Sequence, residues 1–131
     1  DLPDEAMDWS PGPEMNSLGV LLVHTMGSER YWIGDVAGQD DSGRDREAEF
    51  RTVGIGTAEL LERSRQTLAY NLAVLERLSP EQFQQERTAP LTGRVVTVAW
   101  ALAHAVKHTA EHKGHIDITR QMWDRHAAAG Q

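Results

Sequence analysis

The sequence predicts an all-α protein of the four-helix-bundle type. Three stretches place apolar residues every three to four positions, the period of a helix with one buried face. Only one segment, around Val95-Val96, leans toward extended structure. The 131 residues are the size of one domain, and 40% hydrophobic content supplies a single core.

Asp1 to Glu14 holds Pro3, Pro11, Gly12 and Pro13 and reads as an irregular lead-in, with Trp9 as a packing anchor. Asn16 and Ser17 are able N-caps, and Leu18, Leu21, Leu22, Met26 and Ile33 recur at helical spacing after them, so a helix is expected over 16–37. Residues 38–56 are polar and glycine-rich, a long loop in which Arg46, Glu49 and Phe50 suggest one helical turn. Thr57 is expected to cap a second long helix with Leu61, Leu68, Leu72 and Leu75 along one face and Leu60, Leu78 and Tyr70 beside it. Ser79-Pro80-Glu81-Gln82 has the pattern of a capping box with proline at the first position, so a short helix is expected at 80–84. Residues 85–96 are loop or a small extended excursion. Thr97 opens the longest helical pattern, to about His126, with Val98, Leu102, Ala105, Thr109, Ile116 and Met122 along its apolar stripe. Gly114 inside it costs roughly 1 kcal/mol relative to Ala and suggests close approach by a neighbour. Three helices are one short of the usual bundle. The fourth is expected from residues preceding Asp1 or from a partner chain, and homodimerisation is expected because an uncovered apolar face marks an interface.

Several function classes are disfavoured by composition. The net charge of −7 and the lack of a basic stripe argue against nucleic-acid binding. The longest uncharged stretch, Met15 to Ser28, is too short to span a bilayer. With no signal peptide visible, the cytoplasm is the expected location. There is no cysteine, so a metal would be held by histidine nitrogens and oxygens.

The chemistry concentrates in the last helix. His104, His108, His112 and His115 follow one another at spacings of 4, 4 and 3, which keeps all four on one helix face. A metal is the simplest user of such a row, since imidazole is the commonest nitrogen ligand. Two histidines four apart can hold one ion from one side, and a catalytic zinc site needs a third protein ligand and an open position. His24, in the apolar run Leu21-Leu22-Val23-His24-Thr25-Met26, is the natural third. An unpaired histidine there would be costly to bury, although a lone histidine on an apolar face is more often a hydrogen-bonded core residue. His104 and His115 are read as groups that orient the ligands, and His126 as a solvated tail residue. Glu29, five residues after His24, is the candidate base at the pocket mouth. Glu111 points away and is read as a solvated glutamate. Arg46 is a candidate contact for an anionic substrate group, and Trp32 and Trp100 are candidate pocket walls that more often serve as core.

Asn16-Ser17-Leu18-Gly19-Val20-Leu21-Leu22-Val23-His24, with Gly27-Ser28-Glu29-Arg30-Tyr31-Trp32, resembles the first histidine helix of the DinB-like superfamily, which includes the YfiT-like metal-dependent hydrolases. His108-Thr109-Ala110-Glu111-His112-Lys113-Gly114-His115 resembles its second motif, and Arg46-Glu47-Ala48-Glu49-Phe50 a loop element between them. The resemblance implies an up-down-down-up four-helix bundle whose first helix precedes this chain. It implies metal ligands at His24, His108 and His112, and a divalent ion, zinc or nickel. It implies a small-molecule substrate and a metal-dependent transferase or hydrolase activity using low-molecular-weight thiols such as bacillithiol or mycothiol. The alternative is a non-catalytic metal-binding or structural module.

Overall fold

The computed structural model describes residues 2–130, and they are mostly helical. In chain order the elements are a short helix α1 (Glu5–Asp8), α2 (Leu18–Arg30) continuing into a π-helical stretch (Tyr31–Ala37), a turn of helix α3 (Arg46–Phe50) and the long α4 (Thr57–Arg77). A 3-10 turn (Pro80–Gln84), the strands β1 (Glu86–Thr88) and β2 (Val95–Thr97), and α5 (Val98–Ala129) complete the described chain. The extended excursion is an antiparallel hairpin in which Arg87 pairs with Val96. No helix among the described residues is long and apolar enough to cross a membrane.

The caps are largely those the sequence predicts. The Ser17 hydroxyl accepts from the Val20 amide and the Thr97 hydroxyl from the Trp100 amide, each worth about 1 kcal/mol. The Gln82 side chain accepts from the Ser79 amide at 2.8 Å, as a capping box requires. At α4 the expectation needs correction. Gly56, not Thr57, is the N-cap, and the Thr57 amide donates to the distant Asp4 carboxylate at 2.8 Å, tying the lead-in to the start of the helix.

Two hydrophobic clusters organise the bundle. One gathers Ala6, Met7, Leu18, Ile55 and Leu60, with Ile116 and Trp123 packed against it. The other gathers Tyr31, Val36, Ala37, Ala89, Val96, Val98 and Ala101, with Trp32 and Trp100 beside it. Helix α2 therefore runs from the first cluster to the second, while α5 runs from the second to the first. The two helices are antiparallel, and their midpoints, which carry His24 and His108-His112, meet between the clusters. Trp9 anchors the lead-in as expected, its ring 5.8 Å from that of Trp123. His126 is exposed but not simply solvated, since it stacks on Trp9 at 5.2 Å.

The buried face of α4 is not the row of Leu61, Leu68, Leu72 and Leu75. Leu60, Asn71 and Val74 face inward, whereas Leu61, Leu68, Leu72 and Leu75 are 53%, 59%, 50% and 40% exposed. The two rows lie one residue, about 100°, apart around the helix, so the helical period holds while burial falls on the row beside Leu61. The exposed leucines form an apolar stripe beside a groove of about 560 Å³ lined by Leu22, Leu60, Leu61, Leu68 and Ile116. Gly114 also departs from expectation: a Cβ there would meet nothing within 4 Å. No close neighbour explains this glycine.

The π-helical stretch was not legible in the sequence. Within it Gly34 lies against Tyr70 of α4, where a Cβ would fall 2.3 Å from the phenol oxygen. The Tyr70 hydroxyl donates to Asp40, which also pairs with Arg77. The absence of a side chain at Gly34 thus lets α4 approach this stretch closely.

Candidate metal centre

His24 is 5% exposed and faces α5. Its ring centroid lies 5.1 Å from that of His108 and 4.9 Å from that of His112, and those two lie 4.4 Å apart. One ring nitrogen from each of the three lies within 4.8 Å of the others. The Nε2 atoms of His108 and His112 are 3.2 Å apart. Two nitrogens on one tetrahedral zinc, each about 2.0–2.1 Å from it, would be separated by about 3.3 Å. The helix spacing of four residues therefore already sets a ligand-like separation. The donor set also suits a borderline ion such as zinc or nickel, being three imidazoles and no thiolate.

The residue that fixes His24 lies in the loop. Glu49 Oε2 accepts from His24 Nδ1 at 2.8 Å, which leaves Nε2 as the free donor atom. Arg44 grips the same carboxylate through Nε at 2.6 Å and a terminal nitrogen at 2.9 Å. Helix α3 delivers Glu49 because Asp45 caps it, accepting from the Ala48 amide at 2.9 Å. Burial alone would raise the Glu49 carboxyl pKa. The hydrogen bonds and charges of Arg44 and His24 outweigh that and bring it below the usual range, so Glu49 is an anion at neutral pH. A carboxylate behind a histidine in this way orients the ring and raises its basicity as a ligand.

Gly27 makes room for this arrangement. It lies one helical turn beyond His24, and a Cβ on it would sit 2.2 Å from Glu49 Oε1. Glu49 cannot swing aside without breaking its bonds to Arg44 and His24. Gly27→Ala is expected to destabilise the fold by about 1–3 kcal/mol and to weaken zinc binding, checked by denaturant unfolding and zinc titration. A variant as stable as the wild type with unchanged affinity would contradict the contact.

Desolvation and the charges of the neighbouring histidines push the His108 pKa down to about 4, and the same two causes lower that of His112. Both rings are therefore neutral at pH 7, with lone pairs available. The Nδ1 of His108 is buried without a partner.

The other residues singled out in the sequence fall as follows. His115 places its Nδ1 3.4 Å from Nδ1 of His112, on the side of that ring away from His108. His104 makes no hydrogen bond to a ligand histidine. It stacks on Trp100 at 4.7 Å and meets the Trp32 ring edge-on at 4.6 Å, and burial lowers its pKa. Trp32 and Trp100 pack against the second core cluster while walling His104. Glu29 lines the apolar groove, whose walls include none of the three histidines. It accepts from the Thr109 hydroxyl at 2.7 Å and from the Asn71 amide at 3.4 Å. Glu111 pairs with Lys107 on the surface, as a solvated glutamate would. Arg46 is exposed, its guanidinium 4.8 Å over Phe50, and Arg44 is the loop arginine that reaches the site. Phe50 itself covers His24, with centroids 4.7 Å apart.

Comparison with known proteins agrees with the helical fold. Two solved structures share the fold. A DinB-like protein of Bacillus cereus ATCC 10987 superposes with a TM-score of 0.74 at 13% identity, over 94% of this chain and 79% of that one. A DinB-like protein of Bacillus subtilis superposes with a TM-score of 0.67 at 23% identity, over 90% of this chain and 76% of that one. No curated protein matches the sequence. The model of the mycothiol-S-transferase family matches residues 1–125. With nearly its whole length matched and the fold shared, the chain belongs to the mycothiol S-transferase family of DinB-like helical bundles.

Proposed function

We propose that the protein is a metal-dependent S-transferase that joins a low-molecular-weight thiol, of the mycothiol kind, to an electrophilic small molecule. The observation that carries this reading is the convergence of His24, His108 and His112, with His24 backed by a buried carboxylate. Three histidine ligands leave an open position, which is the pattern of catalytic rather than structural sites. The family match supports a thiol as the second reactant.

A divalent ion at the site, zinc or nickel, supplies a Lewis acid that lowers the pKa of a bound thiol or water into the neutral range. Around it the protein's own residues hold geometry. His108 and His112 present their Nε2 atoms from one helix face. Glu49 keeps the His24 proton on Nδ1, and Arg44 holds Glu49 in place. His115 faces the other nitrogen of His112 and orients that ring. Glu29 acts as a positioning residue, tying α2 to α5 through Thr109, next to the ligand His108. The transfer itself forms one carbon–sulfur bond, breaks the bond to the leaving group and releases the thiol proton.

Thioether formation from mycothiol and an activated aryl chloride tests this. Turnover is expected with the zinc- or nickel-loaded protein and is expected to fall at least about a hundredfold on chelation or in His112→Ala. Hydrolysis of the electrophile without thioether would indicate water in place of the thiol. Thioether formation that His112→Ala leaves unchanged would overturn the assignment.

A further inference from the structure

A second cleft lies between α2 and α4, lined by none of the three histidines. It has a volume of about 400 Å³ and is walled by Arg30, Arg63, Gln66 and Tyr70, with Val23 and Met26 as its apolar side. It adjoins a smaller hollow of about 310 Å³ beneath the loop that leads into α3, and the two share Val23, Gly27, Arg30, Glu49 and Arg63.

Arg30 is the unusual member. Its Nε–H is buried with no hydrogen-bond partner, and its Cζ lies 4.1 Å over the centre of the Tyr70 ring. The chain carries 20 acidic residues against 13 basic ones, yet each carboxylate near Arg30 is committed elsewhere. Glu49 is held by Arg44 and His24, Asp40 by Arg77 and Tyr70, and Asp35 by the Ser42 hydroxyl and amide. A desolvated guanidinium N–H without an acceptor is costly to maintain; the buried Nε–H itself is out of a ligand's reach, and it is the rest of the Arg30 guanidinium, on the cleft wall, that a ligand can meet. Arg63 is paired only with Glu59, one turn away on the exposed surface of α4. Such pairs are weak, so Arg63 can turn into the cleft.

We propose that this cleft binds a small organic carboxylate, its acid group held by Arg30 and Arg63 and its apolar body against Val23, Met26 and Tyr70. The planar fork of an arginine matches a carboxylate. A singly charged acid is favoured over a phosphate dianion because Glu49 lines the same cleft and Glu59 stands beside Arg63. The volume is within the range of small-molecule sites, and such sites combine an apolar wall with a few placed polar groups. The proposal does not depend on the ion or on thiol transfer.

Benzoate is the probe. It is titrated into the metal-free protein by calorimetry while the arginine Nε–H resonances are followed by NMR. A saturable shift of the Arg30 Nε–H signal is expected. Affinity is expected to fall about tenfold or more in Arg30→Met and severalfold in Arg63→Met, and to be unchanged in Arg94→Met, whose guanidinium lies over Trp100 away from the cleft. Should Arg30→Met fail to fold, Arg63→Met, altered only at the surface, carries the test. Absence of a saturable shift, binding that Arg63→Met leaves unchanged, or binding of inorganic phosphate in preference to benzoate would each overturn the proposal.

Discussion

Replacing Glu49 with alanine is expected to destabilise the metal-free protein by about 3–5 kcal/mol, the cost of leaving a buried charge without its partner. The side chains of Arg44 and Glu49 are each 8% exposed and that of His24 is 7% exposed, so the groups the carboxylate pairs with are largely desolvated. A domain of this size has about 5–15 kcal/mol in hand, and the variant should unfold at much lower denaturant. Glu49→Gln keeps the volume and one acceptor but loses the charge, and about 1–3 kcal/mol is expected. Both variants should also bind zinc about 10–100-fold more weakly, because His24 loses the anionic partner that orients its ring and raises its basicity. Urea unfolding with zinc titration checks both effects. A wild-type midpoint in Glu49→Ala would mean that the Arg44–Glu49–His24 chain contributes nothing to the fold.

Acid is expected to weaken the metal-free protein in a defined window. An unfolded histidine takes up its proton near pH 6.5, whereas His108 in the fold does so near 4, because desolvation and its histidine neighbours oppose the charge. Between those values the unfolded chain binds the proton and the native chain does not. Stability therefore falls as the pH drops from about 6.5 to about 4 and is flat in this respect below that. His112, lowered for the same reasons, acts in the same direction. The full His108 shift corresponds to at most about 3 kcal/mol, and partial exposure of the ring reduces this to about 1–2 kcal/mol. Glu49 adds a further loss below the ordinary carboxyl range near 4.5, since its folded pKa is depressed. Denaturant midpoints measured at pH 7.5, 5.5 and 4 should decline stepwise, and His108→Gln should flatten the upper part of the slope. Equal slopes in the two proteins would show that His108 is not held neutral by its surroundings.

The parts of this molecule legible in its sequence are the local ones. Helical periodicity located α2, α4 and α5, and hydroxyl caps at Ser17 and Thr97 fixed two of their starts. The spacing of His108 and His112 forces both onto one face, so their pairing follows from helix geometry alone. Choosing the buried face of α4 was harder, because two leucine-containing rows 100° apart have the same period and differ only in what covers them. The structure buries the row with Leu60, Asn71 and Val74. The Glu49–His24 bond spans 25 positions and joins a helix to a glycine-rich loop, and no periodic signal encodes it. Its one local trace is Gly27, a glycine inside α2 one turn after His24, where a side chain would collide with the carboxylate. Gly114 gives no such help, since it looks the same in sequence and stands in open space.

The central claim is the three-histidine metal site, and the most direct measurement is the metal content of the purified protein by elemental analysis, alongside His108→Ala. About one zinc or nickel ion per chain is expected in the wild type, restored on adding the ion after chelation, with little or none in the variant. A wild-type protein that carries no metal and takes up neither zinc nor nickel, or a His108→Ala variant that binds as much as the wild type, would contradict the account.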